Sequence, residues 1–134
     1  MAQAARSWPA LRPAGLARPA LRTFFRIAEL WELDVTQQMT LLGVRPRSTY
    51  FKWKREGTDI LPRDVLERIS YILGIYKALQ ILLPDEHAAD AWVRRPNTAA
   101  PFNGRSALER MLSGNVADLY VVRQYLDAER GGSV

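Results

Sequence analysis

The stretch from Pro62 to Leu83 constrains the chain most. Val65, Leu66, Ile69, Leu73, Tyr76, Leu79 and Leu83 return at helical spacing and form one apolar stripe. Ile72, Ile75 and Ile81 widen it beyond the ~100° arc that a surface helix needs to face a core. A helix apolar over so much of its circumference has to be covered from several sides. It stands either at the centre of the fold or at a dimer interface. We read it as central, with some dimer contact. Gly74, in its middle, lowers helix propensity and points to a close crossing by another helix. The longest apolar run, Ile69 to Leu83, is broken by Ser70, Gly74, Lys77 and Gln80 and falls short of the ~20 residues that span a bilayer.

The segments available to cover this helix are helical too. Phe24, Ile27, Leu30, Trp31 and Leu33 recur near a period of 3.6, and Trp31 reads as core. Asp34 with Gln37 matches a capping box, so a short helix over about Thr36 to Leu42 is expected. Gly43 then permits a sharp turn at positive φ, and Val44 plugs between helices. Pro46 suits the start of a second helix, and Gly57 its end. Met39, Leu42, Val44, Tyr50 and Trp53 are spaced to share a small core, which is the helix-turn-helix pattern. The second helix carries Arg45, Arg47, Ser48, Thr49, Lys52, Lys54 and Arg55. Those side chains are the expected DNA-binding set: polar groups toward base edges, cations and free N–H groups toward phosphates.

Charge placement agrees with that assignment. Residues 1–60 hold ten Lys or Arg against five acids, and residues 61–134 hold nine of each sign. All of the net +5 therefore lies in the first half, which suits a polyanion partner. Residues 1–20 read as a basic leader, with Arg6, Arg12 and Arg18 and no acid; Pro9, Pro13 and Pro19 prevent a continuous helix there. The proline spacing also argues against an amphipathic transit peptide.

After Pro84, acids at Asp85 and Glu86 open another helix, and Arg94 and Arg95 sit in its last turn, where cations suit the dipole. Phe102 pins the following loop, and Asn103-Gly104 makes a tight turn. Ser106 with Glu109 is a capping box that starts a short helix packed by Leu108, Met111 and Leu112, and Asn115 caps the next. The closing unit divides into a packed part, Trp92 to Leu119, and a presenting part, Val121 to Val134. No strand with convincing alternation appears.

There is no cysteine, which excludes disulfides and thiolate metal sites and suits a reducing cytoplasm. Asp85, Glu86, His87 and Asp90 lack the spacing of a metal cluster, and His87 is the only histidine. No Ser/His, carboxylate-pair or glycine-rich phosphate-loop arrangement supports an enzyme. No catalytic, cofactor-binding or metal residue is assigned.

A helix-turn-helix followed by Trp92…Pro96-Asn97…Phe102-Asn103-Gly104-Arg105-Ser106…Leu108…Met111-Leu112…Gly114…Val122…Tyr125-Leu126 resembles the Xre/MbcA/ParS family of bacterial antitoxins. The likeness runs from about residue 21 to the end and is strongest over residues 92–126. Ala107 stands where the family often has proline, and both suit the first helical position. The resemblance implies an all-α fold: an N-terminal helix-turn-helix (Xre-like) bundle, then a small helical C-terminal toxin-binding domain. The leader (1–20) lies outside the resemblance, and within it fall a DNA-binding and dimerisation domain (21–83) and a toxin-binding domain (84–134). It further implies a type II toxin–antitoxin system whose antitoxin is a homodimer and represses its own promoter DNA. The partner would be a RES-domain toxin that consumes NAD⁺ or transfers ADP-ribose. The toxin-facing residues it suggests are Arg123, Tyr125, Leu126, Asp127, Glu129 and Arg130. A stand-alone helix-turn-helix regulator with a sensing C-terminal domain is the alternative.

Overall fold

Caps or prolines stand immediately before α2 to α6. The computed structural model describes residues 15–131. Seven α-helices run through them: α1 (Ala17–Leu30), α2 (Val35–Leu42), α3 (Arg47–Glu56), α4 (Arg63–Leu82), α5 (Glu86–Ala91), α6 (Ala107–Met111) and α7 (Val116–Gly131). A 3-10 turn, Trp92–Arg94, extends α5. Among the described residues there is no strand, only an isolated bridge between Pro96 and Ser106. The fold is all-α, as the sequence indicates.

The Asp34 carboxylate accepts from the Gln37 backbone N–H at 2.7 Å, and the Gln37 side chain accepts from Asp34 N–H at 2.9 Å, so the expected capping box opens α2. Pro46 and Pro62 are the residues immediately before α3 and α4. At the start the expectation is corrected. Helix α1 takes up residues 17–20 of the span read as leader. Pro19 lies in its first turn, where no N–H partner is needed, and Ala17 and Leu21 are both buried. Arg6 and Arg12 of the leader, and residues 132–134, lie outside the described residues.

Helix α4 is the centre. It packs against α1, α2, α5 and, most broadly, α7. Its buried residues are Val65, Leu66, Ile69, Ile72, Ile75, Ala78 and Leu79, so Ile72 and Ile75 lie at the middle of the stripe rather than its margin. The close approach at Gly74 is made by a side chain. The Arg123 guanidinium of α7 lies over Gly74, where any β-carbon would collide with it.

A buried polar link joins α3 to α2. The Tyr50 hydroxyl donates to Gln38 Oε1 at 2.6 Å, and Gln38 Nε2 donates to the Leu33 carbonyl at 2.9 Å. Three segments thus meet at one amide, and burial pushes the Tyr50 hydroxyl pKa up. Two arginines then tie the N-terminal helices to the rest. Arg94 donates to the Trp31 carbonyl at 2.6 Å, closing the end of α1, and lies 3.7 Å from Glu32. Its expected partner was the end of its own helix; it serves a different one. Arg68 of α4 binds Asp64 and donates to the Gly114 carbonyl at 2.9 Å, while its side chain packs over Gly43 of the α2–α3 turn.

Tyr50→Phe deletes the hydroxyl that satisfies a buried amide oxygen. We expect it to lower unfolding free energy by about 1–3 kcal/mol. Chemical denaturation with an unchanged slope is the check, and an unaltered midpoint would mean that Gln38 finds another donor.

Candidate nucleic-acid and partner interfaces

Helix α3 turns Tyr50 inward and half-buries Trp53, which leaves the opposite face to solvent. Arg45 stands in the turn before α3 and not on the helix, which corrects the expectation that the second helix carries it; it, Arg47, Ser48, Lys52, Lys54 and Arg55 are exposed and Thr49 is half-buried. Helical spacing brings Arg47, Ser48, Phe51, Lys52 and Arg55 onto one outward surface. Arg45, Arg47 and Lys52 have no carboxylate within salt-bridge distance among the described residues, and Arg55 pairs with its neighbour Glu56 at 3.2 Å. Lys54 is set apart from the others. Its ammonium sits 4.5 Å from the centre of the Phe25 ring on α1, at the flank of the helix.

The far end of α3 is fixed by a residue read as leader. Arg18 donates to the Glu56 carbonyl at 2.8 Å and pairs with Asp59 at 2.6 Å, a cation placed at the negative end of the helix. Gly57 permits this twice over. Its φ is 73°, and a β-carbon there would meet the Arg18 guanidinium. At the near end, a cleft of about 520 Å³ runs from Thr36 and Thr40 past Gly43, Arg45 and Arg47 to Asp64, Arg68 and Gly114. The basic helix is therefore closed at its far end by an arginine from α1, while Arg68 of α4 packs over Gly43 in the turn that precedes it.

The closing unit is organised by Arg110, which sequence reasoning left unassigned. It donates to the Pro101 carbonyl at 2.6 Å and pairs with Asp118 of α7 at 2.8 Å. The Ser113 hydroxyl adds a bond to the same carboxylate at 2.6 Å. The hydrogen bond from Ser113, then that from Arg110, hold the Asp118 carboxyl below the usual carboxylate range against the opposing effect of burial. Ahead of α6, Asn103 and Gly104 both have positive φ, 52° and 88°, and reverse the chain so that Ser106 can cap. Both halves of the Ser106–Glu109 capping box form, at 3.1 Å each.

Of the residues suggested to face a toxin, the structure separates two groups. Leu126 is 2% exposed and packs in the core with Leu119 and Val122, because their spacing points all three at α4. Tyr125 is half-buried, stacked on Trp92 at 6.3 Å and edge-on to Phe102 at 5.2 Å. Arg123 is held across Gly74 and paired with Asp127 at 3.1 Å. The division into packed and presenting segments at residue 120 is thereby corrected: the boundary runs lengthwise along α7. Asp127, Glu129 and Arg130 are exposed, in company with Tyr120, Gln124 and Ala128. Beside them, Leu79, Leu82, Leu83, Trp92, Tyr125 and Leu126 line an apolar groove of about 190 Å³, with Glu129 at its rim.

Comparison with known proteins matches both halves of the chain. Residues 11–74 match the antitoxin Xre-like helix-turn-helix domain, and residues 78–132 match the antitoxin Xre/MbcA/ParS C-terminal toxin-binding domain. The two matches meet within α4. The chain is also 56% identical over 112 residues to the uncharacterised protein y4oB of Sinorhizobium fredii, covering 84% of each. No helix among the described residues is long and apolar enough to cross a membrane.

The Asp118 carboxylate makes the closing unit sensitive to acid. Its folded pKa is lowered, so its contribution is fully present above the ordinary value near ~4 and is lost as pH falls through the lowered one. Asp118→Asn should cost about 1–3 kcal/mol at pH 7. It should also flatten the loss of stability on going from neutral to acid pH, measured as urea midpoints. A variant as acid-sensitive as the parent would remove Asp118 from this role.

Proposed function

We propose, for a chain that belongs to the Xre/MbcA/ParS family of antitoxins, that it is a type II antitoxin that blocks a RES-domain toxin and represses its own operon. The observation that carries this reading is the joining of the two family domains on one shared helix, α4, with a distinct exposed surface on each. The toxin's class, consuming NAD⁺ or transferring ADP-ribose, is what the resemblance implies. The chain acts by binding rather than by catalysis, in the cytoplasm and as a homodimer that places two α3 helices on operator half-sites.

In this reading residues 21–83 bind DNA and residues 84–134 bind the toxin, with α4 serving both. Arg45, Arg47 and Lys52 are the principal DNA cations, with Arg55, Ser48 and Thr49 beside them. Lys54, occupied at Phe25, contacts the backbone from the flank. Toward the toxin, Asp127, Glu129 and Arg130 act with Tyr120 and Gln124. Tyr125 contributes through the apolar groove, while Arg123 and Leu126 shape that surface from within. An outer helix face of mixed charge beside an apolar slot suits a protein partner, with a buried centre and a polar rim.

The test is separation of the two activities on the intact chain. Deleting residues 118–134 is unsuitable, since it strips Leu119, Val122 and Leu126 from the core. Substituting Arg45, Lys52 and Arg55 together by alanine should weaken promoter binding more than about tenfold and reduce its salt slope by up to three phosphate contacts. The same variant should still protect cells that express the neighbouring toxin. Tyr120→Ala with Gln124→Arg and Glu129→Arg should abolish protection and leave promoter binding intact. A chain that binds its promoter but forms no complex with any neighbouring gene product would be a stand-alone regulator instead.

A further inference from the structure

One aromatic side chain on α3 is used by neither the core nor the cation set. Phe51 is 41% exposed, on the same outward surface as Arg47, Ser48, Lys52 and Arg55. The inner face of the helix is already filled by Tyr50 and Trp53, so Phe51 is not a core residue turned outward by crowding. Its ring meets Tyr50 edge-on at 5.0 Å, which steadies it from behind. One turn earlier, the Arg47 guanidinium lies 5.5 Å from the Phe51 ring centre, within cation–π range.

Two occupants could cover an exposed phenylalanine here. A second copy of α3 related by a two-fold axis would bring Arg47, Lys52 and Arg55 onto themselves, and like charges disfavour that contact. A polyanion has no such difficulty, and the major groove offers one apolar group at base edges, the C5-methyl of thymine. We infer that Phe51 reads a thymine methyl, and that Arg47, stacked on its ring, presents its guanidinium to an adjacent guanine. The inference rests on the DNA-binding reading of α3 and specifies what that helix recognises. Arginine donates two parallel bonds to guanine O6 and N7, and a guanidinium restrained against a ring loses less freedom in making them. The pair is thus a two-base reader: an apolar contact that distinguishes thymine from cytosine, beside a fork that distinguishes guanine from adenine.

Deoxyuridine differs from thymidine only by that methyl, which makes the test direct. The full-length chain is used to enrich duplexes from a randomised library, and each thymine of the enriched site is replaced in turn by deoxyuridine. One thymine in each half-site should show about three- to fourfold weaker binding on losing its methyl, as expected for burying a single methyl group. Phe51→Ala should bind the thymine and uracil duplexes alike, and Phe51→Leu, which keeps an apolar side chain, should retain part of the difference. Arg47→Ala should lose preference for guanine at the neighbouring position. Unfolding midpoints of the variants, expected to match the parent for a residue this exposed, separate reading from folding. The inference is overturned if no thymine is sensitive to its methyl, or if Phe51→Ala keeps the full penalty. If the parent enriches no sequence at all, DNA binding by α3 fails and this inference goes with it.

Discussion

Everything in this molecule depends on the need to cover α4. Each fully buried Leu, Ile or Val contributes about 1.5–3 kcal/mol, and α4 buries seven residues, mostly of this kind, along its length. An exposed ion pair contributes about 0–1 kcal/mol, so the surface pairs along the chain do not hold it together. One helix therefore serves as the core of both halves. The α1–α3 bundle closes on it from one side and α7 from another, and no flexible linker separates the two halves. The family matches meeting inside α4 express the same fact.

Given that common core, the arginines divide by what they touch. Arg18, Arg68, Arg94 and Arg110 each donate to a backbone carbonyl in another segment. They close helix ends and loops that have no further partner of their own. Arg45, Arg47 and Lys52 have neither carbonyl nor carboxylate among the described residues. The net charge of the chain does not distinguish these groups. Position on the helices does: Arg47 and Lys52 share the outward face of α3, which is what a polyanion would meet, while Arg22, Arg63, Lys77 and Arg95, also without a carboxylate partner among the described residues, lie on other elements.

The elements were legible from the sequence wherever the cause was local. The capping boxes at Asp34 and Ser106, the glycine turns at Gly43 and Asn103-Gly104, and the stripe of α4 depend on residues within a few positions of each other. Gly74 announced a close approach, though not that a side chain made it. What escaped was tertiary. Nothing within a few positions marks Gln38 as buried, and only the packing of α3 brings Tyr50 to it. Arg18 fell among the prolines of an apparent leader, because nothing nearby marks it as the cap of a helix some 38 residues away. The turn after α1, where Glu32 has φ 58°, carries no glycine to signal it, and the Trp31 carbonyl there is closed by Arg94 from far along the chain.

The same distinction decides how α7 should be understood. By sequence alone, the residues from Val121 onward read as a presenting segment. An amphipathic helix is divided by angle, not by length. Leu119, Val122 and Leu126 form the inner line, and Tyr120, Gln124 and Asp127 the outer one, over the same turns, with Glu129 on the groove side beside Tyr125. Arg123 lies between the two, fixed over Gly74 and braced by Asp127. A partner bound to the outer line consequently presses on a helix already ordered, and pays little of the entropy that a disordered tail would lose on docking. Such a surface suits an inhibitor, which must hold a fixed shape against a pocket rather than be shaped by it.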